Sequence, residues 1–219
     1  MSLDSKVNDI LNRMHEQTPI DKGTYGEKAV FTICEEFYTD KGGILVHSYS
    51  YKTVPHLPGN IKRVGGKLYI ENLGTITEID VLLVTPFRMF PIEVKAYKAG
   101  LITLYDDRIS GCANTEKSPV HQNEMHMRHL YPHIFASLPN GATKYVKPIV
   151  VFTDQTRVKD ARSKEQKEYI TVTILNNLKQ VIADNNYPIN NTILDLASIE
   201  MRLKNVMSSC TTFLPYVER

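Results

Sequence analysis

The sequence predicts a mixed α/β core, with a central sheet covered by helices. Three observations carry that prediction. Helix-like and strand-like runs follow one another in the order helix, strand, strand, strand, helix, strand. The run KPIVVFT over 147–153 is short and almost wholly apolar, the pattern of a strand covered on both faces. A length of 219 residues suits one domain, or one domain with an appendage, and buries enough surface to fold without disulfides.

The elements follow in order. Residues 5–17 carry Val7, Ile10, Leu11 and Met14 on one helical face, and Pro19 is expected to end that helix. From Thr24 to Tyr38, the stripe Val30, Ile33, Cys34 and Phe37 predicts a second helix. Gly42-Gly43 breaks it, and ILVHSYSY over 44–51 alternates like a strand. Residues 52–75 form an excursion, a Pro/Gly loop and then a small hairpin turning at Gly65-Gly66. ITEIDVLLV (76–84) and MFPIEVKAY (89–97) are two strong strands, and a pair of short strands surrounds Asp106-Asp107. Ser118-Pro119 reads as a cap and first-turn pair opening a helix from 119 to about 138, kinked or broken near Pro132. After 147–153 comes a charged connector, a strand in ITVTI, and helical patterns over 175–185 and 196–208. The expected organisation is an N-terminal helix (1–22), a core (23–154) and an α-rich C-terminal extension packed on it (155–219).

Composition excludes several classes. Lys+Arg 26 against Asp+Glu 24 rules out a histone-like polycation and an acidic tail protein, while a local basic face remains open. Cys34, Cys112 and Cys210 form no CxxC pair, which argues against a zinc ribbon and fits a reducing compartment. The first twenty residues do not have the pattern of a secretory signal, and no apolar run approaches a membrane span. A cytoplasmic protein with no membrane partner is the expectation. GxGxxG, Walker-type and GxSxG motifs are missing.

The chemistry concentrates in Thr77–Lys98. A hairpin pairing Val84 with Met89 has index sum 173, and the same sum sets Asp80 opposite Glu93. Directly opposed residues share a face, with Cα atoms roughly 4.5–5.5 Å apart. Pro86 disfavours a tight two-residue turn, and a four-residue loop keeps this register. Two carboxylates about 5 Å apart repel by roughly 3 kcal/mol at an effective dielectric near 20. A divalent cation removes that repulsion, and Mg²⁺ is commonly held by one or two carboxylates with water and phosphate. Lys95 shares the Glu93 face and can orient water or meet charge growing on a phosphate. The parts fit metal-assisted phosphodiester hydrolysis. Against this stands an ordinary charged sheet face, in which Glu78 would pair across strands with Lys95 while Asp80 and Glu93 face water.

Asp80 followed by Glu93-Val94-Lys95 on the next strand resembles the PD-(D/E)xK signature of restriction-endonuclease-like folds. More narrowly, the chain resembles the nuclease-related domain (NERD) family in four ordered segments: Gly23–Glu27, Glu78–Asp80, Ile92–Lys95 followed by Gly100, and Ser118–Gln122. Ile79 departs from the signature, whose name places proline there, and the 52–75 excursion is longer than the family leads one to expect. The resemblance implies a restriction-endonuclease-like core with extra C-terminal helices, and a nuclease acting on nucleic acid, in the first instance DNA. It implies Asp80 and Glu93 as ligands of Mg²⁺ or Mn²⁺, perhaps joined by the Val94 carbonyl. Lys95 would be the catalytic lysine, Glu27 an accessory acid, and Gln122 a contributor from the next helix. The alternative is an inactive nucleic-acid-binding or protein-interaction module on the same fold.

Some of these positions also have a plain structural reading. Thr24-x-x-Glu27 is a capping box, so Glu27 can cap a helix, line a site, or do both. His126, His129 and His133 continue a polar stripe from Gln122 and read first as a solvated face opposite Met127, Leu130, Ile134 and Leu138. Lys62, Arg63 and Lys67 on the Gly-Gly hairpin are the preferred nucleic-acid contacts; a second basic group over 157–167 is diluted by acids.

Overall fold

The computed structural model describes residues 5–7, 9–10, 19–52, 61–64, 67–70, 76–97, 100–111, 118–141, 143–153 and 157–216. Twelve strands are assigned among them: β1 (Ile44–Lys52), β2 (Ile61–Val64), β3 (Lys67–Ile70), β4 (Ile76–Val84), β5 (Met89–Lys95), β6 (Leu101–Leu104), β7 (Ile109–Ser110), β8 (Ile149–Phe152), β9 (Arg157–Asp160), β10 (Thr171–Ile174), β11 (Met207–Ser209) and β12 (Thr212–Leu214). The helices are α1 (Pro19–Lys41), α2 (Pro119–Ile134), α3 (Lys164–Tyr169), α4 (Leu175–Asn185) and α5 (Leu196–Val206).

A seven-stranded mixed sheet in the order β10-β8-β5-β4-β1-β11, with β12 also on β1, forms the centre. β4 is antiparallel to both β1 and β5, while β8 is parallel to β5 and to β10. One face is covered by α1 and α4, which pack Ala29, Val30, Cys34, Leu178 and Ile182 on Leu45, Val81, Leu83 and Ile92. α2 and α5 cover the other, setting Met127, Leu130, Ile199 and Leu203 on Ile44, Val46, Leu82 and Val84. The smaller sheet β7-β6-β9 closes a third apolar cluster over Val150 and Phe152, so β8 is buried on both sides as its composition predicts.

Several expectations are corrected. Pro19 opens α1 instead of ending the preceding helix, a position where its missing N–H costs nothing. Residues 5–7, 9 and 10 are helical, and 11–18 lie outside the described residues. Because α1 starts at Pro19, Thr24 and Glu27 stand inside it and form no capping box. Ser118 flanks α2 without capping it: its hydroxyl donates to the Tyr105 carbonyl at 3.2 Å. Pro132 lies within α2, which runs on to Ile134. The charged connector contains β9 and α3, and residues 207–214 supply two strands to the central sheet. The hairpin of β2 and β3 forms, with Lys62 opposite Tyr69 and Val64 opposite Lys67. Its Gly65-Gly66 turn, and the side chains of Lys62, Arg63 and Lys67, lie outside the described residues.

Two glycines set how closely the layers approach. Gly43 enters β1 at φ 148°, and a Cβ there would meet the Val84 carbonyl oxygen at 2.1 Å. Gly26 lets α1 touch the end of β8, since a Cβ would meet Thr153 Oγ1 at 2.7 Å. Among the described residues no helix is long and apolar enough to cross a membrane.

Candidate metal-binding site

The β4–β5 ladder runs Val84–Met89, Leu83–Phe90, Leu82–Pro91 and Val81–Ile92, the index sum of 173 expected from the hairpin. Its last pair is Val81–Ile92. Beyond it the Val94 N–H donates to Asp80 Oδ2 at 2.7 Å, so a carboxylate takes the place of a ladder carbonyl and the strands part. In a strand the N–H and C=O of one residue point the same way, so the Val94 carbonyl also faces the β4 side.

The β1–β4 ladder has an irregularity at the same level. It passes from His47–Val81 to Tyr49–Ile79 and omits Ser48 opposite Asp80. Ser48 has φ 52°, in the left-handed region that a non-glycine residue seldom adopts. The facing of side chains reverses there. Tyr49 and Tyr51 join Ile44 and Val46 under α2 and α5, although strict alternation would set odd and even residues apart. Asp80 therefore stands where both neighbouring ladders are interrupted.

Glu93 lies alongside, only 1% exposed. Lys95 Nζ is 2.7 Å from its Oε1, and His126 Nδ1 is 3.4 Å from its Oε2. Burial pushes the Asp80 carboxyl well above the usual range; the charges of Glu93 and Glu27 push the same way, against the Val94 hydrogen bond and Lys95. Burial also raises Glu93, against the pull of Lys95 and with further upward pressure from Glu27 and Glu78. Two buried acids whose ionisation is disfavoured are what a cation would relieve, so the residues present fit a divalent ion. Among the described residues, no three His, Cys, Asp or Glu side chains are gathered as a metal cage. Magnesium does not need one, since it keeps waters and uses one or two carboxylates.

Glu27 approaches from α1, with Oε2 3.3 Å from His47 Nε2, and its charge reaches both acids. Gln122 is half-buried on α2, one turn before His126. The cross-strand Glu78–Lys95 pair does not form. Glu78 accepts from the Ser50 hydroxyl at 2.8 Å, while Lys95 turns to Glu93. Nor is His126 on a solvated face: it is 8% exposed, and burial, then the charge of Lys95 and His129, pulls its imidazole down to about 4. The signal was present in the sequence. Asn123, His126, Met127, Leu130 and Ile134 form one helical stripe, all buried. Asn123 anchors that stripe by donating from Nδ2 to the Pro91 and Ile149 carbonyls at 3.3 and 2.9 Å.

Comparison with known proteins agrees with this architecture. The family model described as the nuclease-related domain matches residues 22–153. No curated protein sequence matches the chain. Among solved structures, the chain is similar to protein VC1899 from Vibrio cholerae at 13% identity and a TM-score of 0.34, over 74% of this chain and 32% of that one. It thus spans about a third of the length of that protein. Because the family match takes in α1, the β4–β5 hairpin, the start of α2 and β8, the chain belongs to the nuclease-related domain family, within the general context of the PD-(D/E)xK superfamily.

Proposed function

We propose that this chain is a divalent-metal-dependent nuclease that hydrolyses phosphodiester bonds of DNA. The observation that carries the reading is the pair of buried, charge-strained carboxyls of Asp80 and Glu93 at the parted ends of β4 and β5, with the Lys95 ammonium 2.7 Å from one of them. Asp80 and Glu93 would hold Mg²⁺ or Mn²⁺, with the Val94 carbonyl as a further oxygen. When bound, such an ion supplies Lewis acidity toward a phosphate oxygen and toward water.

The chain's own residues supply the rest. Val94 N–H fixes one oxygen of Asp80 and so orients the other. Lys95 donates toward the attacking water and meets the negative charge that grows on the phosphate. Glu27, at the start of the α1 face, takes part as an accessory acid by holding His47 and by adding negative potential at the site. Gln122 extends the α2 face over which the strand would pass. The β2–β3 hairpin, with Lys62, Arg63 and Lys67, is the proposed contact to backbone phosphates.

Supercoiled plasmid and labelled single- and double-stranded DNA and RNA, incubated with Mg²⁺, Mn²⁺ or EDTA, test the reading. The expected result is DNA cleavage that EDTA abolishes. Asp80→Ala and Lys95→Met should each lower it by about 10²-fold or more. Cleavage of RNA alone would move the substrate. Retention of DNA without cleavage in either ion would favour the inactive binding module, and a rate indifferent to Asp80→Ala would overturn the site.

A further inference from the structure

The division of Glu93 between its two neighbours carries one step more. Oε1 belongs to Lys95, at 2.7 Å. Oε2 faces His126 Nδ1 at 3.4 Å, and both of these atoms are buried without a hydrogen-bond partner. That separation lies outside the ordinary N–H···O range of about 2.7–3.2 Å. It matches two ligand atoms sharing one ion. Ligands held at about 2.1 Å stand about 3.0 Å apart at right angles and about 3.4 Å apart in a tetrahedron. The imidazole is held in place from both directions. Asn123, one turn earlier, is tied to the sheet through Pro91 and Ile149, and the His126 carbonyl accepts from the Tyr51 hydroxyl at 2.5 Å. Both restraints act without the imidazole itself, so neither accounts for a histidine at this position.

We propose that His126 Nδ1 is a ligand of the bound cation, sharing it with Glu93 Oε2, and that the site therefore selects Mn²⁺ or a similar transition ion over Mg²⁺. This rests on the metal-dependent reading above. An imidazole nitrogen favours borderline transition ions, whereas an all-oxygen shell suits Mg²⁺ equally well. The sequence pattern implies only the two acids and a carbonyl; the nitrogen comes from the helix packed across them.

Electron spin-echo modulation of Mn²⁺ bound to the full-length protein tests this directly. Wild-type protein should show a nitrogen coupling that changes from ¹⁴N to ¹⁵N character when only histidine is labelled, which separates imidazole from the Lys95 amine. His126→Asn, whose shorter amide can present oxygen near the Nδ1 position, should lose that coupling. Calorimetry should give Mn²⁺ an affinity about ten-fold or more above that of Mg²⁺ in the wild type, with the margin shrinking in His126→Asn and in His126→Gln. The wild-type spectrum decides even if a variant fails to fold. Mn²⁺ bound in an Asp80-dependent way with no histidine coupling, or coupling that persists in His126→Asn, overturns the ligand assignment and leaves the nuclease reading standing. Mn²⁺ that does not bind at all overturns both.

Discussion

Asp80 is a carboxylate with one oxygen spoken for by the Val94 amide and a buried neighbour of the same charge in Glu93. Such a residue works against the fold that holds it. Asp80→Asn keeps an oxygen for the Val94 N–H and removes the repelling charge. The substitution is expected to raise the thermal midpoint of the metal-free protein by a few degrees, while Mn²⁺ affinity measured by calorimetry falls at least ten-fold. A midpoint that drops instead would show that the charge is not strained. At this scale the sequence was informative where arithmetic sufficed. The index sum of 173 placed Asp80 beside Glu93 correctly because a hairpin register depends only on local chain length. The partner of Lys95 was not legible, since nothing local announces that Ser50, from another strand, takes Glu78. His126 was misread because a polar residue was assigned by its type, although its spacing from Met127 and Leu130 put it on the buried stripe.

Elements show the same division between local and distant causes. β4, β5, β8 and α4 follow directly from pattern and length, whereas β9 was hidden because its charged residues are half-exposed on a small outer sheet. β11 and β12 were hidden too, being only three residues each and depending on β1 for their pairing. The kink at Ser48 is the feature of β1 that the alternation of ILVHSYSY conceals. It holds a left-handed backbone where a Cβ is unwelcome. Ser48→Gly is expected to stabilise the protein by up to about 1 kcal/mol, and Ser48→Val to destabilise it by about 1–2 kcal/mol, in chemical denaturation. Equal effects of the two would mean that the kink carries no strain. The connector between β9 and β10 is held differently. Arg162, buried, receives both oxygens of Asp160 at 2.9 Å and donates to the Ile170 carbonyl at 2.9 Å. Burial lifts the Asp160 carboxyl, but the hydrogen bonds and charge of Arg162 outweigh it and hold the group below the usual aspartate range. The folded state therefore binds that proton less readily than the unfolded chain. Its contribution is present above the ordinary aspartate value and is lost as pH falls through the folded one. Asp160→Asn should flatten the fall in stability in that acid window, read from denaturation midpoints at stepped pH. Asp160→Ala, which leaves the guanidinium stranded, should cost about 1–3 kcal/mol at neutral pH.

The whole molecule is larger than its family match. Residues 22–153 contain α1, α2 and the strands β1 to β8, yet β10 covers one flank of β8 and the strands β11 and β12 cover the outer flank of β1. Removing everything after Val206 would leave β1 with an open edge beside apolar surface from Leu45 and Val46. The truncated protein is expected to aggregate or to melt well below the full chain, by light scattering and calorimetry; a soluble, equally stable product would mean that those strands are ornaments. Sequence reading set 155–219 apart because its composition changes there, and composition carries no information about which distant edge a three-residue strand will close. Tyr49 and Tyr51 span these layers. Their rings stack at 5.4 Å, and their hydroxyls donate to the Leu203 carbonyl at 2.8 Å and the His126 carbonyl at 2.5 Å, tying the sheet to α5 and α2. Burial, followed by the charge of Cys210 for one ring and of the neighbouring tyrosine for the other, drives both phenols far into the alkaline range. In an alkaline absorbance titration of the twelve tyrosines, these two should stay silent until the protein comes apart, so that their late phenolate signal times the parting of β1 from the two helices.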